Sequence, residues 1–373
     1  MVRVAIDTRL LAYQRAGTAT YIRGLLHGFQ HAGDDADDLV VLASRKDRDL
    51  DGFGAVARRI LWTPCHHRWE RWALGLELAT MPVDVVHSPD FIPPARLGRR
   101  WARVITVHDL AFLRSPELLT ADSRRYYGQI FRAVEEAERI IAVSEATRSD
   151  LLDLAKAPAD KIAVVPEGVD AAFSPLDAAS VARRVADRFG IDAPFFLFVG
   201  TLEPRKNLTR LMRAFAASRE RTGPDGPLLV LAGRPGWLAD DLGEAARPLG
   251  DAVRFLGVVG QEDLIALYNA ALALVLVSLY EGFGLPALEA MACGAATLVS
   301  DAGSLPEVVG DAGLQVPPGD TDAIADALCR LWEDEPLRRE LGARGRCRAA
   351  RFDWVSVARR TSAVYREAAA CAS

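Results

Sequence analysis

Ala273-Leu-Val-Leu-Val277, followed closely by Glu281-Gly-Phe-Gly-Leu-Pro-Ala-Leu-Glu289-Ala-Met-Ala-Cys-Gly294, is the stretch that decides the fold. An unbroken aliphatic run of that length reads as a strand buried on both faces, the mark of a parallel sheet. Two glycines then turn the chain, and Pro286 suits the first helical position. Gly282 and Gly284 keep side chains away from the turn, so the backbone amides of residues 282 to 285, including those of Phe283 and Leu285, can approach an anion. The helix behind them adds roughly half a positive charge at the same spot. Glu289, expected in the first turn of that helix, would direct its carboxylate at the mouth, where a ribose diol could donate to it. Glu281, just before the turn, could do the same for sugar hydroxyls. Acidic groups beside a phosphate cradle repel the ligand unless they meet hydroxyl donors. The combination therefore points to a nucleotide that carries a sugar.

Working outward, the same alternation of strand and helix fills the chain, which predicts a doubly wound α/β protein. In the first half, strands are expected at Val2–Ile6, Leu39–Leu42, Val83–His87, Val104–His108, Arg139–Val143 and Ile162–Val165. Helices are expected near Thr20–Gln30 and Ala121–Ala137. A seam follows at Pro166–Asp170 and Phe173–Pro175, with a helix near Ala178–Phe189. The alternation restarts with strands at Phe195–Val199, Leu228–Ala232, Val253–Phe255, Ala273–Val277, Ala296–Val299 and Leu314–Val316. The domains expected are residues 1–172 and 190–350, each Rossmann-like, closed by a final helix within 351–373. In such sheets ligands sit beyond the carboxyl ends of the strands, which makes a cleft between the two domains the first place to look.

The 373 residues are 50% hydrophobic and 25% charged, with a formal net charge of −5. That balance excludes a disordered chain and argues against nucleic acid as a partner, since phosphate backbones want a basic footprint. No apolar run approaches the roughly 18 residues of a membrane span, so the expected location is cytoplasmic. The five cysteines are odd in number and form no Cys-x-x-Cys pair, which suggests neither a zinc site nor a disulfide framework. Asp35-Ala-Asp37 and Asp320-Thr-Asp322 superficially match a metal motif, but both read as solvated turns or helix caps. No metal is expected. Gly233-Arg-Pro-Gly236-Trp237 reads as a turn after a strand, placed where it could border a nucleobase.

Phe196-Leu-Phe-Val-Gly200-Thr-Leu-Glu-Pro-Arg205-Lys206-Asn207 delivers two adjacent cations from a strand end to a helix start. Near about 4 Å from a diphosphate, each could contribute up to about 4 kcal/mol at an effective dielectric of 20. Arg58-Arg-Ile-Leu-Trp62 through His66-His67-Arg68-Trp69-Glu-Arg71-Trp72 is both basic and aromatic. It either rests on an anionic membrane surface, on the cytosolic face, or packs its tryptophans inside the first domain with its arginines solvated.

The chain resembles glycosyltransferase family 4, retaining enzymes of the GT-B fold, along nearly its whole length. The fragments carrying the resemblance are Thr106-Val-His108-Asp109-Leu-Ala-Phe112, Ala142-Val-Ser144-Glu145, Val165-Pro-Glu-Gly-Val-Asp170, the Arg205-Lys206 loop and the Glu281/Glu289 pair. Ser300-Asp-Ala-Gly-Ser-Leu-Pro-Glu307 and Gly310-Asp-Ala-Gly313 extend it. The resemblance implies two facing Rossmann-like domains, the first for acceptor and the second for donor, with the last helix packing back on the first. By position, Arg205 and Lys206 match the pair that binds the donor diphosphate. Glu289 matches the carboxylate on the ribose and Glu281 the one on the donor sugar. Residues 283–285 match the turn meeting sugar and phosphate, and His108 matches a histidine touching the transferred sugar. Gly17, in Ala16-Gly17-Thr18-Ala19, matches a phosphate-approaching glycine loop whose usual second glycine is here Ala19. The arginine common at position 201 is here Thr201, which shifts more of the diphosphate onto Arg205 and Lys206.

The implied reaction is same-face transfer of a hexose from a nucleotide-diphosphate sugar, with GDP-mannose first and UDP-linked glucose or N-acetylglucosamine behind it. A glycan, a lipid-linked sugar or a small molecule would be the acceptor. Two rivals remain at this stage: a nucleotide-sugar epimerase of the same fold, and a non-catalytic two-domain sugar-binding protein.

Overall fold

The computed structural model describes residues 2–13, 17–33, 37–46, 56–97, 101–114, 116, 121–236 and 240–372. The chain divides into two compact units, Met1–Gly168 with Phe352–Ser373, and Val169–Arg351.

The first unit is built on seven parallel strands: β1 (Arg3–Asp7), β2 (Asp38–Ser44), β3 (Ala57–Leu61), β4 (Val85–Ser88), β5 (Ala102–Val107), β6 (Arg139–Ala142) and β7 (Ile162–Val164). They lie in the order β3-β2-β1-β4-β5-β6-β7. Strand β3 is absent from the sequence reading. It is an edge strand whose first four residues, Ala57 to Ile60, are exposed, so it lacks the apolar run by which buried strands are recognised. The helices are α1 (Gly17–His31), α2 (Glu70–Leu78), α3 (Ala111–Arg114), α4 (Ala121–Tyr127), α5 (Ile130–Glu136) and α6 (Glu145–Asp153). The single helix expected over 121–137 is in fact two. The break falls at Gly128-Gln129, where a glycine weakens the helix by about 1 kcal/mol. Ser144 caps α6, its hydroxyl accepting from the Thr147 amide at 3.0 Å, which fits a helix-start reading of Ser144-Glu145.

The second unit carries six parallel strands: β8 (Phe195–Val199), β9 (Leu228–Ala232), β10 (Val253–Gly257), β11 (Ala273–Leu276), β12 (Ala296–Ser300) and β13 (Leu314–Val316). Their order is β10-β9-β8-β11-β12-β13. Around them stand α7 (Ala178–Phe189), α8 (Leu208–Thr222), α9 (Asp240–Ala246), α10 (Gln261–Ala270), α11 (Leu285–Cys293), α12 (Leu305–Val309), α13 (Thr321–Glu333) and α14 (Glu335–Ala349). Helix α7, left between the two domains by the sequence reading, belongs to this unit. Asp320 caps α13, accepting from the Ala323 amide at 2.9 Å. Asp37 corrects the surface-turn reading, for it is buried and accepts from the Val2 amide at 3.2 Å and from the Ser362 hydroxyl. Its neighbour Asp35 lies outside the described residues. All five cysteines are free thiols.

The last helix, α15 (Trp354–Ala372), returns to the first unit and packs on α1. Two glycines of α1 make the approach possible. A Cβ at Gly24 would stand 2.0 Å from the Trp354 ring, and one at Gly28 would stand 2.0 Å from the Trp354 carbonyl oxygen. Beneath this contact a buried polar chain crosses the core. The Tyr21 hydroxyl lies 3.1 Å from Thr106 Oγ1, Thr106 Oγ1 lies 2.8 Å from His87 Nε2, and His87 Nδ1 lies 2.7 Å from the Tyr365 hydroxyl. Burial pushes His87 down to about 3, so its imidazole is neutral.

Both sheets change direction beside their first strand, between β1 and β4 in one and between β8 and β11 in the other. Those reversal points are where doubly wound sheets open a crevice for ligands.

Candidate active site

At the reversal point of the second sheet, β8 ends and Pro204–Lys206 form one 3-10 turn leading into α8. Asn207 follows in the left-handed region and fastens this turn to its neighbours. Its side-chain amide donates to the Val277 carbonyl at 3.0 Å and to the Pro318 carbonyl at 2.7 Å. The Leu279 amide donates to the Arg205 carbonyl at 2.8 Å. The loops after β8 and β11 are thereby held together, and their charged side chains converge. Lys206 Nζ donates to Glu281 Oε1 at 2.5 Å, Arg205 Nη1 donates to Glu281 Oε2 at 3.0 Å, and the Ser278 hydroxyl donates to Oε1 at 2.7 Å. Arg205 also pairs with Glu203.

Lys206 and Glu281 are 7% and 6% exposed. Burial alone would raise the Glu281 carboxyl, but Lys206 and Arg205 overcome it and hold the group at about 2. Burial also draws the Lys206 ammonium below its ordinary value, with Glu281 opposing. Two cations and two carboxylates thus balance within one small cluster.

Helix α11 opens directly behind it. Gly284 adopts φ 106°, which a side-chain-bearing residue rarely takes, and Ser304 pins the turn by donating through its hydroxyl to the Phe283 carbonyl at 2.6 Å. Helix α11 begins at Leu285, so Glu289 is its fifth residue and not in the first turn as expected. Glu289 is buried, and its Oε2 accepts from the Tyr268 hydroxyl of α10 at 2.8 Å.

In the first unit His108 follows β5 directly. Its Nδ1 stands 2.9 Å from Glu167 Oε1 and its Nε2 stands 2.9 Å from the Pro89 carbonyl oxygen. Both partners accept only, so the arrangement suits an imidazolium that donates at both nitrogens. Burial lowers the His108 pKa, but Glu167 outweighs it and the net direction is upward.

Residues 184–348 match the family described as glycosyl transferases group 1, and residues 15–173 match Glycosyltransferase Family 4. The O-antigen chain mannosyltransferase B of Escherichia coli is 35% identical over 305 residues, 81% of this chain and 78% of that protein. The chain belongs to glycosyltransferase family 4. A D-inositol 3-phosphate glycosyltransferase of Kineococcus radiotolerans is 34% identical over 315 residues, 76% of this chain and 72% of that protein. Among solved structures, the sucrose-phosphate synthase of Thermosynechococcus elongatus superposes with a TM-score of 0.77 at 23% identity, with both chains covered in full. The two parallel-sheet units are those of the GT-B fold, and the protein is a glycosyltransferase. That conclusion places transfer ahead of the epimerase and binding-protein alternatives.

In this glycosyltransferase the structure brings Arg205, Lys206 and Glu281 into one hydrogen-bonded cluster next to Gly282, Phe283, Gly284 and Leu285. The sequence reading assigned the two cations to a diphosphate and Glu281 to sugar hydroxyls; in the structure the three also hydrogen-bond one another. Glu289 lies further along α11 with Tyr268. Gly17 opens α1 in the first unit, exposed, with nothing near the place a Cβ would take. The loop 233–236 lies on the loop after β8, Leu202 N donating to the Arg234 carbonyl at 3.0 Å. Trp237 lies outside the described residues.

Sequence reasoning missed Tyr268, Ser278 and Glu167. Glu167 was within reach of sequence reasoning, since it sits inside the Pro-Glu-Gly-Val-Asp fragment. No spacing rule ties Tyr268 to Glu289, whereas Ser278 stands three residues before Glu281, a local Ser-x-x-Glu spacing from which their hydrogen bond could have been anticipated. Among the described residues, no group of three His, Cys, Asp or Glu is placed to hold a metal ion, and no helix is long and apolar enough to cross a membrane.

Proposed function

We propose that this glycosyltransferase is a retaining enzyme that moves mannose from a nucleotide-diphosphate sugar, GDP-mannose first, to a hydroxyl of a glycan, lipid-linked or small-molecule acceptor. The observation that carries it is the Arg205–Lys206–Glu281 cluster at the reversal point of the second sheet, beside the opening of α11. A diphosphate laid at that opening meets the helix-end amides and the cationic side chains together. The Lys206 ammonium has three N–H donors, of which Glu281 takes one. As the sugar departs and charge builds on the diphosphate, donors already fixed by Glu281 stabilise it without reorganising. This scheme calls for no metal. The family resemblance also assigns Gly17, at the start of α1, to the donor phosphates, and that assignment is part of this proposal.

Retention rests on which carboxylates are engaged. Double displacement needs a carboxylate nucleophile. Glu281 is held by Lys206, Arg205 and Ser278, which draws its charge away from covalent attack, and Glu289, which accepts from Tyr268, is the carboxylate the resemblance places on the ribose and not at the sugar. Attack on the face of departure, through an oxocarbenium-like state, fits this arrangement better, with the leaving phosphate oxygen taking the acceptor's proton. Mannose rests on the Escherichia coli mannosyltransferase relative.

The membrane contact expected at Arg58–Trp72 belongs to the same proposal, with the enzyme working at the cytosolic face. Trp62, Trp69 and Trp72 are 73%, 55% and 47% exposed, which sets aside the reading that packed them inside the domain. The Arg45 guanidinium lies 5.0 Å over Trp62, and that of Arg68 lies 5.0 Å over Trp69. Amphipathic rings beside arginines suit the headgroup layer of an anionic bilayer.

Thermal stabilisation by GDP, UDP and ADP at equal concentration tests the donor base. GDP should give the largest shift, and a larger one with UDP or ADP overturns that choice. The anomer formed from GDP-mannose, read by NMR, tests retention; a β-linked product overturns it.

A further inference from the structure

Arg205 and Lys206 are already answered by Glu203 and Glu281, so the charges of the donor-side cluster cancel within it. A diphosphate brings several negative charges to that place, and the mouth of α11 adds only about half a positive charge. A cation not committed to a carboxylate would balance the ligand, and Arg234 is such a cation. It is exposed on the loop after β9, and among the described residues its guanidinium pairs with no carboxylate. Its Nε donates to Thr201 Oγ1 at 3.4 Å, a long bond that leaves the Nη groups to a guest.

The fold carries this arginine to the donor side. Strands β8 and β9 are parallel neighbours with Val199 beside Ala232, so Gly200 and Gly233 leave the sheet side by side at its carboxyl end. That end is where such sheets take ligands. A Cβ at Gly233 would stand 1.8 Å from the Gly200 carbonyl oxygen, and one at Gly236 would stand 2.4 Å from that of Leu202. Glycine alone admits so close an approach. Leu202 bonds in both directions, its amide donating to the Arg234 carbonyl and its carbonyl accepting from the Gly236 amide, each at 3.0 Å. The Arg234 backbone is thereby fixed against the loop that carries Thr201, Arg205 and Lys206. Gly200, next to Thr201, borders Lys206 itself, since a Cβ there would stand 3.7 Å from Lys206 Cε. Position 201 holds a short threonine, and an arginine placed there would run into the space that the Arg234 guanidinium occupies.

We propose that Arg234 is a donor-binding residue: from the loop after β9 it reaches over Thr201 and supplies the diphosphate with the guanidinium that position 201 lacks. This role rests on the donor-site reading above and adds to it a cation from a different loop. A guanidinium presents parallel N–H donors that match phosphate oxygens bidentately, and it keeps its charge at every working pH. Arg234 thereby takes up part of the diphosphate that the threonine at 201 left to Arg205 and Lys206. The Thr201 hydroxyl, accepting from Nε, positions the side chain.

Isothermal titration calorimetry tests this, the probe being whichever of GDP, UDP and ADP stabilises the wild type most. Arg234→Gln changes an exposed side chain and should melt with wild type. It should weaken the diphosphate about tenfold at low ionic strength, the worth of one hydrogen bond to a charged group. The gap should narrow as salt rises, because the contact is between exposed charges. Thr201→Arg combined with Arg234→Gln returns a guanidinium to the same place from the other loop, and should bring affinity back to within about threefold of wild type. Unchanged affinity in Arg234→Gln would overturn the proposal. So would a loss that salt leaves untouched, which marks stacking on the nucleobase, or a folded double variant no tighter than Arg234→Gln alone. Lys206→Met in the same titration keeps this role distinct from the donor site. A loss there with none at Arg234 removes Arg234 and leaves the site standing, and no loss at either removes both.

Discussion

Glu281→Gln is the substitution on which the reading of the donor-side cluster turns. The wild-type carboxylate accepts from Lys206 at 2.5 Å, from Ser278 at 2.7 Å and from Arg205 at 3.0 Å. Glutamine keeps the shape but replaces one oxygen with an N–H donor. Whichever way the amide turns, that donor faces a cation, and both cations lose their shared counter-charge. Removing one partner from a buried ion pair costs about 3–5 kcal/mol. An independent route gives a similar figure: a carboxyl held at about 2, against its ordinary 4.5, contributes about 3 kcal/mol at neutral pH. The sign follows from a folded pKa below the unfolded one, so this contribution is present above pH 4.5 and is lost as pH falls toward 2. For a unit of this size each kcal/mol moves the melting temperature by about 2–4 °C, so Glu281→Gln should lower it by roughly 6–20 °C. Lys206→Met should cost less, because Arg205 and Ser278 still hold the carboxylate. The double variant should cost less than the two single costs added together, since the lone buried charge is gone. Differential scanning calorimetry and urea unfolding of all three proteins measure this. A Glu281→Gln protein within about 1 kcal/mol of wild type, or strict additivity in the double variant, would refute the reasoning.

Two further outcomes follow from the first unit. Glu167→Gln should lower the His108 titration midpoint, read from its ring C–H resonances, because the carboxylate beside Nδ1 is what raises it. In the wild type the folded His108 pKa lies above the unfolded value of 6.5, so the stability this pair lends is present below pH 6.5 and fades as pH rises through the folded value; an unmoved midpoint in the variant would remove Glu167 as the cause. Replacing Trp62, Trp69 and Trp72 together with alanine should abolish sedimentation with vesicles containing phosphatidylglycerol while leaving the melting temperature nearly unchanged, since all three are exposed. Equal sedimentation of wild type and variant, or of wild type with purely zwitterionic vesicles, counts against membrane docking through this surface.

Most strands were legible in the sequence because parallel strands buried on both faces are written as unbroken aliphatic runs. Phe195–Val199 and Leu228–Ala232 match their expected ranges. Strand β3 escaped because an edge strand with exposed residues carries no such run. The break at Gly128 escaped because apolar periodicity continues across it.

The sequence by itself determined the α/β alternation, the glycine turn before α11 and the family, since each depends on neighbours along the chain. Only the tertiary structure decided how the charges are spent. Arg205 and Lys206 are separated from Glu281 by 75 residues or more, and His108 from Glu167 by 59. Which carboxylate answers which cation depends on where parallel strands deliver their loops. A charge's partner is fixed by distance in space and by exclusion of water, and no local pattern of residues encodes either.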